Sequence, residues 1–279
     1  MNSLQEVETG NFSTRRWMFC PPDSIRLVSW NINRGLQLRG VIEFLAGAKA
    51  DIVLLQEADL NARRTHHLNI AREISQELQM NYVFGREFEE LSQGSRASPA
   101  YHGQATLSRW PLSNFRLIRF QRQSSFWRPH WFLPDVEPFQ ERIGGRLALV
   151  SSADVGGKTL VTYNLHLESK GHDGLRRSQL DETLKDSQQY DSKTPIVLAG
   201  DFNFDVSRGE AATLLRRAHF QDIFSNQHVR TTPPHSFLEH GKLIDWIFSK
   251  GPVRSNQAQV HRSVSASDHY PLSVTLIID

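Results

Sequence analysis

Short apolar runs alternate along the chain with stretches in which apolar residues recur at helical spacing. Continuous or β-branched runs are typical of buried strands, and apolar residues three and four positions apart indicate an amphipathic helix. The runs predict strands at residues 25–30, 52–55, 82–84, 103–107, 115–120, 146–150, 159–165, 195–198, 243–248, 258–264 and 270–278. The helical spacing predicts helices at about 41–48, 68–80, 174–188 and 208–218.

The pattern contains no linker that would separate two halves, so we predict one domain over residues 24–279. Residues 1–23 end at Pro21-Pro22 and are predicted to be a loose lead-in to that domain. Gly156-Gly157 lies between two predicted strands and indicates a hairpin. Residues 121–141 show no clear period and predict a long ordered loop, of the kind that is often functional.

Polar residues that could bind a metal or a phosphate follow several of the predicted strands. Asp201 and Asn203 stand at alternate positions after the strand 195–198, and alternate positions on a strand end point to the same side. An Asp-x-Asn turn is the simpler interpretation of that pair alone. Similar endings recur at Asn31, Glu57 and His166. Their number favours a functional site over a series of turns and caps.

Asp245 differs from these residues because it lies inside an otherwise apolar strand. A buried charge is costly unless it is paired. A histidine is a suitable partner, since a carboxylate bonded to one ring nitrogen fixes the tautomer and favours the protonated ring. Asp268-His269, between the last two predicted strands, offers such a ring.

Four short motifs occur in a characteristic order: Ser29-Trp30-Asn31, Leu55-Gln56-Glu57, Gly200-Asp201-Phe202-Asn203 and Ser267-Asp268-His269. Together they resemble the signature motifs of the endonuclease/exonuclease/phosphatase superfamily, the DNase I-like fold. The resemblance spans about residues 25–278. It implies an α+β fold, a four-layer α/β/β/α sandwich of two packed mixed β-sheets flanked by helices. The segment that begins His166-Leu167-Glu168-Ser169 is similar to the 5′-tyrosyl-DNA phosphodiesterase branch.

The resemblance also implies a divalent metal. Glu57 would be its main ligand, helped by Asn31 and by Asp268. A site that is rich in carboxylates and carboxamides suits a hard cation, Mg²⁺ or Mn²⁺, more than zinc. The single cysteine, Cys20, independently excludes a cysteine-based zinc cluster.

The same resemblance gives roles to the other motif residues. Asp201 would activate the attacking water, and Asn203 would orient that water. His269, held by Asp245, would contact the scissile phosphate, while His166 would bind another non-bridging oxygen. Hydrolysis of a phosphodiester requires charge neutralisation and an in-line water, which these residue types can supply.

We expect the substrate to be a nucleic acid, DNA or RNA, bound in part by Asn33, Ser169, Arg142, Trp127 and Trp131. In the 121–141 loop, arginines that could bind phosphate alternate with aromatic rings that could stack on unpaired bases. The same rings could instead enter a lipid interface or belong to the core. The alternatives are therefore a phospholipid, sphingomyelin or inositol-phosphate phosphoesterase, or a binding module without catalytic activity.

Composition adds few constraints to this picture. Hydrophobic residues make up 39% and charged residues 22% of the 279 positions, as in an ordinary globular protein. The net charge of +2 is compatible with an anionic substrate. One cysteine leaves no intrachain disulfide, and no apolar run reaches membrane-spanning length. We therefore expect a soluble, cytoplasmic protein.

Overall fold

A computed structural model describes residues 3–14, 22–127, 141–225, 227, 229–234 and 240–279. Within these residues the strands are β1 (Val7–Asn11), β2 (Ile25–Arg34), β3 (Ile52–Leu60), β4 (Asn81–Glu90), β5 (Ala100–Ser108), β6 (Leu112–Arg119), β7 (Arg142–Gly144), β8 (Leu147–Val155), β9 (Lys158–His166), β10 (Ile196–Asp201), β11 (Gln221–Asp222), β12 (Asp245–Lys250), β13 (Val253–Val260) and β14 (Leu272–Ile278). The α-helices are α1 (Leu38–Gly47), α2 (Ile70–Leu78), α3 (Asp173–Asp186) and α4 (Gly209–Arg217).

Two mixed sheets contain these strands. The first has the order β1-β4-β5-β3-β2-β14-β13, and β7 also pairs with β4. The second has the order β11-β12-β10-β9-β8-β6. Each sheet holds one parallel pair at its centre, β2 with β3 and β9 with β10, and a helix connects the two strands of each pair. The carboxyl ends of a parallel pair lie at the same edge of the sheet, and this arrangement places the site.

The alternation of side chains along the strands builds three apolar layers. On β2, Leu27 packs between the two sheets, while Val28 and Trp30 pack on the opposite face, which α1 and α2 cover. On β10, Val197 likewise lies between the sheets, and Leu198 faces the layer that α3 and α4 cover. The result is the four-layer α/β/β/α sandwich, so the predicted fold class is confirmed.

The predicted elements agree with the structure except at β1 and β13 and at two short strands, β7 and β11, that were not predicted. Residues 7–11, assigned to a loose lead-in, form β1 and pair with β4, so that prediction is wrong for this segment. The strand predicted at 258–264 is also displaced, because β13 runs from Val253 to Val260. Both are edge strands whose side chains are largely exposed, and they therefore lack the apolar pattern that marks an internal strand.

The long loop predicted at 121–141 is described only at its ends. Ser125–Trp127 form a 3₁₀ turn, and β7 begins at Arg142. Residues 128–140, with Trp131, lie outside the described residues. In the part of the chain that the structure describes, no helix has both the length and the apolar character that a membrane span requires.

Candidate active site

The ends of four central strands meet at one edge of the sandwich. Asn31 lies on β2, Glu57 on β3, His166 at the end of β9 and Asp201 at the end of β10. Across the second sheet, Asp201 stands in register with His166 on one side and with Asp245 on the other. Residues that are far apart in the sequence therefore form one cluster.

Gly200 allows the two parallel strands of the second sheet to approach each other at this edge. Its φ of 142° is one that side-chain-bearing residues rarely adopt. A Cβ at this position would lie 2.0 Å from the carbonyl oxygen of Leu165 on β9. We infer that a larger residue would move Asp201 away from His166.

Asp201 is the carboxylate at the centre of the cluster, and its side chain is 2% exposed. Its Oδ2 accepts a hydrogen bond of 3.1 Å from the Nδ2 of Asn31, and its Oδ1 accepts one of 2.8 Å from the backbone N–H of Asn203. The same Oδ2 lies 3.6 Å from Nε2 of His166 and 3.8 Å from Nε2 of His269. Two imidazoles thus face a single carboxylate oxygen.

The predicted pairing of His269 with Asp245 is confirmed. Nδ1 of His269 lies 2.9 Å from Oδ2 of Asp245, and the same Oδ2 accepts a hydrogen bond of 2.6 Å from the hydroxyl of Thr231. Burial lowers the pKa of His269, but the charges of Asp245 and Asp201 outweigh burial and raise this pKa to about 10. The ring is therefore a cation at neutral pH.

His166 belongs to a second buried charge network that sequence reasoning missed. Its Nδ1 lies 3.3 Å from Oε2 of Glu87, and the guanidinium of Arg146 donates a hydrogen bond of 3.2 Å to the same oxygen. Another Arg146 nitrogen donates to the hydroxyl of Ser169 at 2.9 Å, which ties Ser169 to the site. Burial raises the pKa of Glu87, yet His166 and Arg146 reverse this effect and hold it at about 2.

Glu57 sits at a bulge on β3, where the register with β5 shifts between Leu55 and Ala58. Its φ of 56° lies in the left-handed region, which is uncommon for this residue type. Its side chain is 22% exposed, and Oε1 lies 3.8 Å from Nε2 of His166. Burial raises the pKa of Glu57, but electrostatic interactions with His102, His166 and Arg146 reverse this and hold the pKa below its usual range.

Two of the carboxamides also have left-handed backbones, with φ of 44° at Asn33 and 57° at Asn203. The backbone N–H of Asn33 donates to Oδ1 of Asn31 at 3.1 Å. The side chain of Asn203 donates to the carbonyl of Leu167 at 3.0 Å. Left-handed residues other than glycine cluster at functional sites, where the surrounding structure holds them in place.

Asp268 lies beside the cluster, but its side chain is exposed and, among the described residues, is hydrogen-bonded only to the hydroxyl of Ser267. The hydroxyl of Ser267 lies 2.7 Å from the carbonyl oxygen of Asn31 and 3.2 Å from Oδ1 of Asp268. The indole N–H of Trp30 donates to the carbonyl of His269 at 2.8 Å. These contacts fix the last motif against β2 and leave the side chain of Asp268 exposed.

A third imidazole, His102 on β5, lies on the far side of Glu57. Its Nδ1 is 3.0 Å from Oδ1 of Asp59, the residue opposite it on β3. Arg64 donates hydrogen bonds of 2.7 and 2.8 Å to the two oxygens of Asp59. His102 and Asp59, like Asp245, are titratable residues within mainly apolar strands, and this pattern could have identified them as candidates from the sequence.

Two residues predicted to bind substrate are buried instead, which corrects that expectation. Arg142 is 5% exposed in its side chain and pairs with Glu90 at 3.1 Å. Trp127 packs on Phe88, with ring centroids 5.0 Å apart, and its indole N–H donates to Oε1 of Glu168 at 2.9 Å. Because Trp127 and Arg142 are engaged with each other and with the core, neither presents a free surface.

The neighbouring residue Phe126 has the exposure that was expected of Trp127. Phe126 is 58% exposed, and Nζ of Lys170 lies 5.2 Å from its ring centroid. Lys170 follows Ser169, which contacts Arg146 as described above. An exposed aromatic ring and a cation therefore stand beside the buried charge network.

The cluster offers donors that suit a divalent cation. Ligand atoms of Asp201, Asp245 and His269 all lie within 4.8 Å of one another. Two of these three residues are already paired, because Asp245 binds His269 and Thr231. The partly exposed carboxylate of Glu57 accepts no short hydrogen bond among the described residues, so it fits the predicted role of main ligand better.

The chain belongs to the endonuclease/exonuclease/phosphatase family, whose model matches residues 28–269. Members of this family are in general hydrolases that act on phosphoester bonds, and they typically use a divalent metal. No curated protein sequence matches the chain.

Solved structures show the same fold. An endonuclease/exonuclease/phosphatase from Beutenbergia cavernae has a TM-score of 0.67 and 17% identity, over 92% of this chain and 72% of its own. A family structure from Bacteroides vulgatus has a TM-score of 0.66 and 17% identity, over 92% of this chain and 100% of its own. Truncated TDP2 from Caenorhabditis elegans has a TM-score of 0.59 and 18% identity, over 91% and 98%. At these identities the similarity shows the fold alone.

Proposed function

We propose that the protein is a divalent-metal-dependent phosphodiesterase that hydrolyses phosphodiester bonds in nucleic acid by attack of water. The observation that carries this proposal is the position of Asp201. One oxygen of its buried carboxylate faces two imidazoles at less than 4 Å, at the same edge that presents Glu57. The residues that we propose as base, phosphate ligands and metal ligand therefore belong to one cluster.

Asp201 is the residue that would accept the proton of the attacking water. The amide of Asn31 donates to its Oδ2, which orients the carboxylate. Asn203 is held two residues later in a left-handed conformation and would position the same water. Positioned acid–base groups of this kind contribute roughly 10²–10⁴-fold to rate.

The two histidines would bind the phosphate from opposite sides of Asp201. His269 is a cation at neutral pH, with Nδ1 occupied by Asp245 and Nε2 directed toward Asp201. His166 is backed by the guanidinium of Arg146. Preorganised cations stabilise charge that develops on the phosphoryl oxygens in the transition state.

Glu57 would hold the metal, Mg²⁺ or Mn²⁺, with Asn31 and Asp268 nearby. The partly exposed, ionised carboxylate of Glu57 fits this assignment. A bound divalent ion supplies Lewis-acid stabilisation of the phosphoryl oxygens.

Nucleic acid is favoured as the substrate by the pair Phe126 and Lys170. An exposed ring can stack on an unpaired base, and the adjacent ammonium can bind the next phosphate. The fold shared with TDP2 supports including a 5′-phosphotyrosyl oligonucleotide among the substrates to be tested.

A substrate panel tests the proposal. Wild-type protein in Mg²⁺ or Mn²⁺ is incubated with single- and double-stranded DNA, RNA, a 5′-phosphotyrosyl oligonucleotide and a phospholipid. We expect cleavage of at least one nucleic-acid substrate and its loss in Asp201→Asn. Cleavage of the phospholipid alone would replace nucleic acid by lipid as the substrate, and no phosphodiester cleavage at all would refute the proposal.

A further inference from the structure

His102 is a buried histidine that the proposed reaction does not use. It lies on β5 next to Gly103, and its side chain is 0% exposed. Its two ring nitrogens face two different carboxylates, Asp59 at Nδ1 and Glu57 at Nε2.

Asp59 settles the orientation of the ring. Oδ1 of Asp59 lies 3.0 Å from Nδ1 of His102, while Arg64 binds both oxygens of the same carboxylate and keeps it ionised. A carboxylate accepts hydrogen bonds only, so Nδ1 carries the hydrogen in this contact. In the neutral ring the lone pair then belongs to Nε2.

Nε2 of His102 has no hydrogen-bond partner among the described residues. It lies 4.0 Å from Oε2 of Glu57, which is too far for a hydrogen bond. In the neutral ring, the lone pair of Nε2 and the carboxylate of Glu57 therefore face each other in a buried site, and together they can bind one cation. In most metal sites with a histidine ligand, a carboxylate or carbonyl accepts a hydrogen bond from the other ring nitrogen and thereby fixes the tautomer.

We propose that Nε2 of His102 is a ligand of the metal held by Glu57, and that this nitrogen makes the site prefer Mn²⁺ to Mg²⁺. The proposal rests on the proposed function, which assigns the metal to Glu57. Mg²⁺ favours an all-oxygen shell, whereas an imidazole nitrogen raises the relative affinity for transition metals. His102 therefore adds a nitrogen ligand to the oxygen ligands that the motifs predict, and this nitrogen favours a transition metal over Mg²⁺.

Pulsed electron paramagnetic resonance of Mn²⁺ detects such a ligand without any substrate. In the three-pulse echo-modulation experiment, a directly bound imidazole gives a ¹⁴N coupling to the Mn²⁺. We expect this coupling in the wild-type protein loaded with one equivalent of Mn²⁺. It should be lost in His102→Gln and retained in His166→Gln and His269→Gln, which are matched controls within the same site.

Metal titrations provide the second readout. In His102→Gln we expect Mn²⁺ to bind about tenfold more weakly or worse, with a much smaller change for Mg²⁺, so that the preference for Mn²⁺ falls. If His102→Gln does not fold, the double variant His166→Gln/His269→Gln takes its place. A ¹⁴N coupling that persists there supports His102, and its loss assigns the nitrogen ligand elsewhere and overturns the proposal.

Absence of a ¹⁴N coupling in the Mn²⁺-loaded wild type, or an unchanged coupling in a folded His102→Gln, also overturns the proposal. These outcomes are distinct from failure of the proposed function. Hydrolysis of phosphodiesters without the ¹⁴N coupling would support the proposed function and refute the assignment of His102 as a ligand. A ¹⁴N coupling without hydrolysis would support the ligand and refute the proposed function.

Discussion

Nδ1 of His269 faces Oδ2 of Asp245 at 2.9 Å, and this contact leaves Nε2 as the nitrogen that points toward Asp201. The pair lies at the edge where the proposed phosphate would bind. Asp245 is the charge that contributes most to the raised pKa of His269, so the protonation of the ring depends on this contact.

We predict that Asp245→Asn changes the pH dependence of activity. The pKa of His269 is raised to about 10, so the cation is present below that pH and is lost as the pH rises through it. Removing the charge of Asp245 lowers this pKa, and the alkaline limb of kcat/KM should move to lower pH. Profiles of wild type and variant measure the shift.

Thr231→Val is the matched control for Asp245→Asn. It removes the hydroxyl that donates to Asp245 but keeps the carboxylate charge beside His269. Its alkaline limb should stay close to that of wild type. Superimposable alkaline limbs for Asp245→Asn and wild type would refute the role given to the pair.

We predict that Glu57→Gln keeps the fold and loses most of the metal affinity and activity. The change preserves shape but removes the negative charge that would bind the metal. Because Glu57 is assigned as the main ligand, the affinity loss should exceed the roughly 10–100-fold that is typical of outer-shell partners. Isothermal titration with Mn²⁺ measures it, with exposed Glu43→Gln as the control. Equal affinities in the two variants would contradict the assignment.

We predict that Arg146→Met is strongly destabilising. Arg146 is 3% exposed in its side chain and is paired with Glu87, which is 0% exposed. Removing one partner of a buried ion pair leaves an uncompensated charge and costs about 3–5 kcal/mol. Urea unfolding measures this loss, and exposed Arg39→Met should change the free energy of unfolding by less than about 1 kcal/mol.

The double variant Arg146→Met/Glu87→Gln completes this test, because it removes both charges of the pair. It should be more stable than Arg146→Met alone. If the second substitution brings no recovery, the destabilisation comes from lost packing on Phe88 rather than from the unpaired carboxylate.

We predict opposite effects for the adjacent aromatic residues. Trp127→Ala should lower the free energy of unfolding by about 3–5 kcal/mol, because the ring is buried on Phe88 and bonded to Glu168. Phe126→Ala should leave stability nearly unchanged and raise KM for a single-stranded oligonucleotide about fivefold or more. If KM is unchanged in Phe126→Ala, the exposed ring does not contact the substrate.

The strand pattern of the sequence was sufficient to single out the strand-end residues, whereas the fold was predicted from the resemblance of four motifs to a known superfamily. Asn31, Glu57, His166 and Asp201 follow or end buried strands. Parallel pairing brings Asn31 near Glu57 in one sheet and His166 near Asp201 in the other, and the packing of the two sheets joins the two pairs. Asp245 was found because a charge within an apolar strand requires a partner.

Asp59 and Glu87 were not predicted as buried charges, because the sequence does not show toward which face of a sheet a charged side chain points. A charged residue in a strand usually faces solvent. Only the folded structure shows that Glu87 is buried against His166 of the second sheet and that Asp59 is buried against His102 and Arg64. The pairing of His102 with Asp59 follows from the register between β3 and β5, and the pairing of Arg146 with Glu87 follows from contacts in the folded structure. The left-handed bulge at Glu57 has no local signal either, since glutamate is not a residue that favours this conformation.

Cleavage in ¹⁸O-labelled water tests the central claim most directly. The wild-type protein, loaded with Mn²⁺ or Mg²⁺, is incubated with an oligonucleotide that the substrate panel shows to be cleaved, and the product phosphate is analysed by mass spectrometry after a single turnover. The account predicts one ¹⁸O atom in each newly formed terminal phosphate, and no product from the metal-free protein or from Asp201→Asn. Product without ¹⁸O in its phosphate, or full turnover in excess chelator, would contradict metal-dependent attack of water at this site.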